Sequence, residues 1–222
     1  MKKIKVLLAF VFISTLFLVG FAQCKKEISN NANYLKLISE SKQWYVTYHL
    51  DSCQYFDCTY TELYSIGNDT VINEVNYKNV YLSRGIESPM ERILYGQVRE
   101  TNDKKVYLFK GGVEKLYYDF GMQIFDKLSN WQLIKIDTIN VYGQNRLKFE
   151  LKSICSSSKA CWIEGIGDTR GLFYNDCFDC IGDVVIEDVG GSVYELNCVE
   201  EMESTIYNSE LYDDCWIYKP PK

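Results

Sequence analysis

His49 is the single histidine of the chain, and Asp51 follows two residues later. A Ser–His–Asp or Cys–His nucleophile system would have to be built on it, because no other imidazole is present to move a proton. It lies in the strand-like run 44–50, where a lone histidine reads as structural, and the chain has no Gly-x-Ser-x-Gly elbow. Zinc sites built on several histidines are excluded by the count. Cys177-Phe178-Asp179-Cys180 is a C-x-x-C pair. In a redox enzyme the first cysteine of such a pair sits at a helix N-terminus, which lowers its pKa. Here the strand-like stretch 181–186 follows instead, and no second C-x-x-C completes a four-cysteine zinc site. Carboxylates gather at Asp176, Asp179 and Asp183, and again at Asp213 and Asp214. Oxygen clusters suit calcium, but this spacing matches no EF-hand loop, and paired acids also serve glycosidases. With 30 acidic residues in the chain, such neighbours read as solvated loops. Gly165-Ile166-Gly167 lacks the pattern of a phosphate-binding loop. No catalytic residue, metal or cofactor is assigned from these patterns.

The N-terminus is more informative. Met1-Lys2-Lys3-Ile4-Lys5 is a positive start, residues 6–21 are apolar and uncharged, and Gly20 and Ala22 are the small residues a signal peptidase reads. Residues 1–22 are therefore read as a secretory signal, cleaved before Gln23. The apolar stretch falls short of the roughly 20 residues that span a hydrocarbon core, so no transmembrane span is expected after cleavage. Cys24 is the alternative: a lipoprotein signal also ends just before a cysteine, although Gln23 stands where a lipobox has a small residue. Parity favours that reading, since nine cysteines less Cys24 leave eight. In an exported chain, eight cysteines read as four disulfides. Neighbour pairing gives Cys53 with Cys58, Cys155 with Cys161, Cys177 with Cys180, and Cys198 with Cys215. The last closes the longest loop and contributes about 3 kcal/mol on the chain-entropy model.

Cleavage removes Lys2, Lys3 and Lys5 and no acid, taking the net charge from −6 to −9. That leaves no electrostatic footprint for nucleic acid or anionic lipid. The chain is 47 % hydrophobic with three prolines, which argues against disorder, and its 18 tyrosines suit strands or an aromatic sugar-binding surface.

These features must be positioned by strands. Residues 23–43 are polar and read as a lead-in, with a helical turn around 34–38. From Trp44 onward strands recur without crossover helices, giving one domain over 44–222. Leu147, Phe149 and Leu151 alternate with Lys148, Glu150 and Lys152, the signature of a half-buried antiparallel strand. The run 131–139 alternates less strictly, and a turn at 142–145 joins the two. Further hairpins are predicted with turns at 101–104, at 189–191, and at Gly67-Asn68-Asp69-Thr70 between strands 59–66 and 71–77. Residues 117–127 form either a brief helix or an irregular strand. The fold class is all-β: an antiparallel meander forming a barrel, half-barrel or sandwich, with local disulfides.

One further pattern is the order of short motifs. Gly67-Asn68-Asp69-Thr70-Val71-Ile72 is followed by Tyr95-Gly96-Gln97-Val98-Arg99-Glu100 with Lys105-Val106-Tyr107, then Tyr118-Asp119-Phe120, then Trp162-Ile163-Glu164-Gly165-Ile166-Gly167 with Gly171-Leu172, and finally Leu196-Asn197-Cys198 with Ile206-Tyr207. This order resembles a group of uncharacterised secreted or envelope β-rich proteins of Bacteroidota, over residues 44–216. The resemblance implies an extracytoplasmic β-rich domain and carries no activity and no catalytic residues. Many members end in a C-terminal sorting domain; this chain runs to Lys222 without one, which points to periplasmic or surface-lipoprotein residence. Triplets at Asp69-Thr70-Val71 and Asp137-Thr138-Ile139 resemble O-glycosylation sequons of such organisms.

Physically, those motifs read as scaffold, with Gly165 and Gly167 allowing positive φ and Trp162 as a buried anchor. Glu164, alternating to the same face as Trp162, is the residue to test for a role beyond packing. The leading expectation is a non-enzymatic binding or interaction module of the cell envelope, taking a protein, glycan or small ligand. The alternatives are a lipocalin-like carrier of a small ligand or lipid, which needs an unfilled apolar interior, and a carboxylate hydrolase, which needs two acids converging in a cleft.

Overall fold

The computed structural model describes residues 34–50, 58–84, 91–174, 193–209 and 211–219. The stretch Leu35–Lys222 forms one compact unit. All its described regular structure is strand: β1 (Lys42–Leu50), β2 (Cys58–Ile72), β3 (Val75–Arg84), β4 (Glu91–Glu100), β5 (Lys105–Lys110), β6 (Val113–Asp119), β7 (Lys127–Leu128), β8 (Trp131–Val141), β9 (Gln144–Ser153), β10 (Lys159–Ile163), β11 (Gly167–Asp168), β12 (Val193–Glu201), β13 (Ser204–Asn208) and β14 (Tyr218–Lys219). The larger sheet is an antiparallel half-barrel in the order β13-β12-β1-β2-β3-β4-β5-β6, with β14 pairing on to β2. The smaller sheet runs β11-β10-β9-β8-β7. The all-β meander expected from the alternating patterns is thus the fold.

Four of the hairpins close through two-residue turns whose central residues both have positive φ: Asn73-Glu74, Gly111-Gly112, Tyr142-Gly143 and Met202-Glu203. Such turns match the right-handed twist of the flanking strands, and glycine suits them best. The predicted turn at Gly67–Thr70 is not one. β2 runs straight through it with a bulge between Ile66 and Asp69, and reverses at Asn73-Glu74. Gly67 is needed for proximity instead: a Cβ there would stand 2.4 Å from the Tyr81 ring. Glu74, exposed at φ +66°, bears the strain. Glu74→Gly is expected to raise stability by roughly 1 kcal/mol, read as a higher denaturant midpoint at unchanged slope. A lower midpoint would refute the assignment.

Residues 34–38 contain no helical turn. The chain there is held open because the Glu100 carboxylate accepts the backbone N–H groups of Leu37 (3.0 Å) and Ile38 (2.9 Å). Leu37 and Ile38, assigned to the polar lead-in by sequence, are buried. Residues 117–127 are likewise not helical: β6 ends at Asp119, and turns lead to β7. The irregular alternation of β8 has its cause in a bulge between Leu133 and Lys135. On β9, Phe149 and Leu151 face the core as their alternation requires.

The two sheets meet through aromatic rings. Tyr118 stacks on Phe120 (5.5 Å between centroids), and both meet Trp162 edge-on, while Phe120 also meets Phe149. Tyr118, Phe120 and Phe149 are almost wholly removed from water. Each such side chain contributes about 2–3 kcal/mol of burial, with a further increment from ring geometry.

Candidate functional site

The segment from Ile163 to Tyr174 arches from the small sheet over the half-barrel, and three buried side chains hold it. Arg146 donates to the Glu164 carbonyl (3.0 Å), Lys42 to the Gly165 carbonyl (2.9 Å) and Trp44 Nε1 to the Ile166 carbonyl (2.8 Å). Three successive carbonyls, which an arch would otherwise leave bare, are thereby satisfied. Further along, Asp168 accepts from Trp162 Nε1, from the Arg170 backbone and from the Arg170 guanidinium. Tyr118 accepts the Asp168 N–H and donates to the Leu172 carbonyl. The Thr169 carbonyl accepts the Leu196 N–H (2.9 Å), beside the irregularity in the β1–β12 ladder. The Trp162–Gly167 motif is therefore a scaffold whose glycines and carbonyls fix the arch.

Lys42 is nearly inaccessible, and its Nζ also donates to the Lys36 carbonyl (2.8 Å). Burial lowers its pKa to about 8, against the opposing pull of Glu201. A neutral amine still supplies the two donors these carbonyls need. Between about pH 8 and 10.5 the unfolded lysine holds a proton that the folded one has released, so stability rises with pH across that window. Above pH 10 the buried tyrosines Tyr64 and Tyr118, whose pKa values burial raises, reverse the slope because the folded state then holds the extra protons. The Lys42→Met variant is expected to lose the rising limb, worth on the order of 3 kcal/mol, in denaturant titrations from pH 7 to 10. A rise retained in the variant would refute it.

Beneath the arch, against the face of the half-barrel, lies a cleft of about 210 Å³. Its walls are Tyr64, Tyr95, Phe173, Tyr174 and Tyr194, and its floor carries Glu62 and Arg84. The register explains this grouping: Val46 of β1 faces Glu62 of β2, and Tyr64 faces Leu82 of β3. Glu62 therefore occupies an inward, apolar position, 3 % exposed. A carboxylate there requires partners, and it has two: Arg84 Nε at 2.7 Å and the Tyr64 hydroxyl at 3.1 Å. Tyr95 stacks on Phe173 (5.5 Å, 13° between planes), and Lys110 lies 3.6 Å above its ring. The Tyr95 hydroxyl, pushed up to about 12 by burial and by Glu62, makes no hydrogen bond among the described residues. Arg84 uses only its Nε in the described contacts, leaving both terminal nitrogens beside the cleft.

The residues singled out by sequence lie elsewhere. Glu164 does not line the cleft; its carboxylate accepts the Leu147 N–H (3.4 Å), burial raises its pKa, and its role is to hold the arch. The His49 backbone is in β1, paired with Thr59 and Val193, but its side chain lies outside the described residues. So do Asp51, Cys53, the Cys58 side chain, Asp176, Cys177, Asp179, Cys180, Asp183, the hairpin at 189–191, residues 1–22 and Cys24. Asp213 and Asp214 are exposed, and Asp214 contributes its carbonyl to Asn197. Cys198 and Cys215 are disulfide-bonded as neighbour pairing predicts. Cys155 and Cys161 are not paired with each other. Cys155 is bonded to a partner outside the described residues, whereas Cys161 is a free thiol, half-buried on β10. With Cys161 free, the other eight cysteines form an even set that includes Cys24, so parity no longer favours lipidation.

Glu62 and Arg84 were missed by sequence reading. The available signal was alternation: Tyr60, Glu62, Tyr64 and Ile66 share one face of β2, and an acid in an apolar register is the anomaly to notice. Comparison with protein-family models, curated proteins and solved structures finds no match.

Proposed function

We propose that the protein is a non-enzymatic binding module of the bacterial cell envelope, and that its site is the cleft beneath the arch. The observation that carries this reading is the buried Glu62 carboxylate, held by the Arg84 guanidinium and the Tyr64 hydroxyl on the floor of an aromatic-walled cleft. A concave site with aromatic walls and a few convergent polar groups is the usual form of a small-molecule site. The Cys198–Cys215 bond supports residence in an oxidising compartment.

Two features favour this reading over the alternatives. The face of the half-barrel turned toward the small sheet is filled by Trp44, Leu82, Tyr118 and Phe120, which leaves no long apolar lumen for a lipid carrier among the described residues. Glu62 is the one carboxylate lining the described cleft, where a carboxylate hydrolase needs two. Protein-observed NMR with a mixed library of sugars, amino acids, aromatic acids and amphiphiles tests the site. Resonances of Tyr95, Phe173 and Tyr194 are expected to shift together with at least one ligand class. Shifts confined to other surfaces, or none at all, would overturn the proposal.

A further inference from the structure

We infer that the ligand of this cleft is a single neutral pyranose ring, held through two adjacent hydroxyls by the Glu62–Arg84 pair and the Tyr95 hydroxyl. This rests on the binding-module reading and adds the ligand class to it.

Charge comes first. Glu62 is neutralised by Arg84, and Asp168 by Arg170, whose guanidinium is further occupied by the faces of Trp131 (4.9 Å) and Tyr174 (4.3 Å). Among the described residues the carboxylates and guanidiniums at the site cancel in pairs, which favours a neutral ligand over a strongly charged one.

Hydrogen-bonding capacity comes second. The two Glu62 oxygens each take one protein donor, which leaves each with further accepting capacity. Arg84 offers only donors, and the Tyr95 hydroxyl offers one donor and two acceptor sites. Side by side, a carboxylate that accepts and a guanidinium that donates match a pair of neighbouring hydroxyls, each of which does both. An amide or a carboxylic acid uses only part of this set. An apolar ligand uses none of it and leaves the groups unpaired at a cost.

Shape comes third. A pyranose has a hydroxyl rim and an apolar C–H face. The floor takes the rim, and the rings of Tyr64, Phe173 and Tyr194 offer apolar wall to the C–H face. At about 210 Å³ the cleft is smaller than the roughly 300–1,000 Å³ of a drug-sized ligand's site. That fits one ring, so a polysaccharide would enter by a terminal residue.

The test is calorimetric titration of the full chain with neutral methyl hexopyranosides, their uronic acid counterparts, and analogues lacking one of two adjacent hydroxyls. At least one neutral pyranoside is expected to bind with millimolar or better affinity, more tightly than its uronic acid, and to weaken when one of the pair is removed. Tyr95→Phe keeps the ring and removes only the hydroxyl, and should weaken binding roughly three- to tenfold. Glu62→Gln should weaken it roughly ten- to a hundredfold, with far-UV circular dichroism and melting temperature reporting that each variant folds. If Glu62→Gln does not fold, Tyr95→Phe alone decides. A polysaccharide ending in the same sugar should compete with the free pyranoside; competition identifies a chain end as the source, and its absence identifies the free sugar. If no pyranoside binds while other fragments still shift the cleft resonances, the inference falls and the binding-module reading stands. If nothing reaches the cleft, both fall. Pyranoside affinity indifferent to Tyr95→Phe and Glu62→Gln would place the sugar elsewhere and also overturn the inference.

Discussion

Replacing Gly165 with alanine is expected to cost about 3–5 kcal/mol and to leave little folded protein at 37 °C. Two effects add. Gly165 has φ +72°, a conformation that costs a side-chain-bearing residue roughly 1–2 kcal/mol. The new Cβ would also stand 2.7 Å from Arg146 Nη1, 3.1 Å from Leu35 Cβ and 3.2 Å from the Leu35 carbonyl oxygen. Arg146 is buried and cannot simply swing into water. Displacing it frees the Glu164 carbonyl it caps and strands a guanidinium whose Nε already lacks a partner. An unmet buried group costs about 1–3 kcal/mol, more when charged. Urea denaturation of soluble protein, or the soluble fraction on expression, checks this. Loss of less than 1 kcal/mol would show that the arch is not held as described.

Removing the Cys198–Cys215 bridge by a double alanine substitution is expected to cost about 3 kcal/mol, the entropy of a closed loop of this length. The bridge spans 17 residues and pins a C-terminal strap to the outer face of the half-barrel. The strap makes directional contacts of its own: Asn197 Nδ2 donates to the carbonyls of Asp214 (2.8 Å) and Cys215 (2.9 Å), and Thr61 exchanges two bonds with Ile217. Without the bridge those contacts must hold the strap alone. Hydrogen exchange at the Ile217 amide should therefore accelerate well beyond the change in global stability, while amides of β4 and β5 track the global value. Equal protection in the double variant and the parent would refute a stapling role.

Much of the fold was legible because strand alternation is a local signal. Leu147, Phe149 and Leu151 declare their face without knowledge of any partner. Turn position was less legible: Gly67-Asn68-Asp69-Thr70 has turn composition, yet the chain turns at Asn73-Glu74, where the register of β2 against β3 demands it. The glycine is there to admit the Tyr81 ring. The site was the least legible. Lys42, Glu62 and Arg146 carry charges that composition assigns to solvent, and each is buried because distant residues supply its partners. Glu62 meets Arg84 across 22 residues, and Lys42 meets Gly165 across 123. Cys161 shows the same limit in reverse, because proximity in sequence to Cys155 does not give proximity of thiols.

The pairing of β1 with β12 joins Lys42 to Glu201, nearly the full length of the compact unit. Strands β2 to β6 can zip as successive hairpins, each closing a loop of a few residues. β1 cannot complete its second edge until β12 has been synthesised, and closing so long a loop is slow relative to local pairing. During that delay β1 presents Trp44 and Val46 beside unpaired backbone groups, a template for association with other chains. Folding yield should therefore depend on how fast the segment from Val193 onward arrives, and chains truncated before Val193 should accumulate as oligomers through β1.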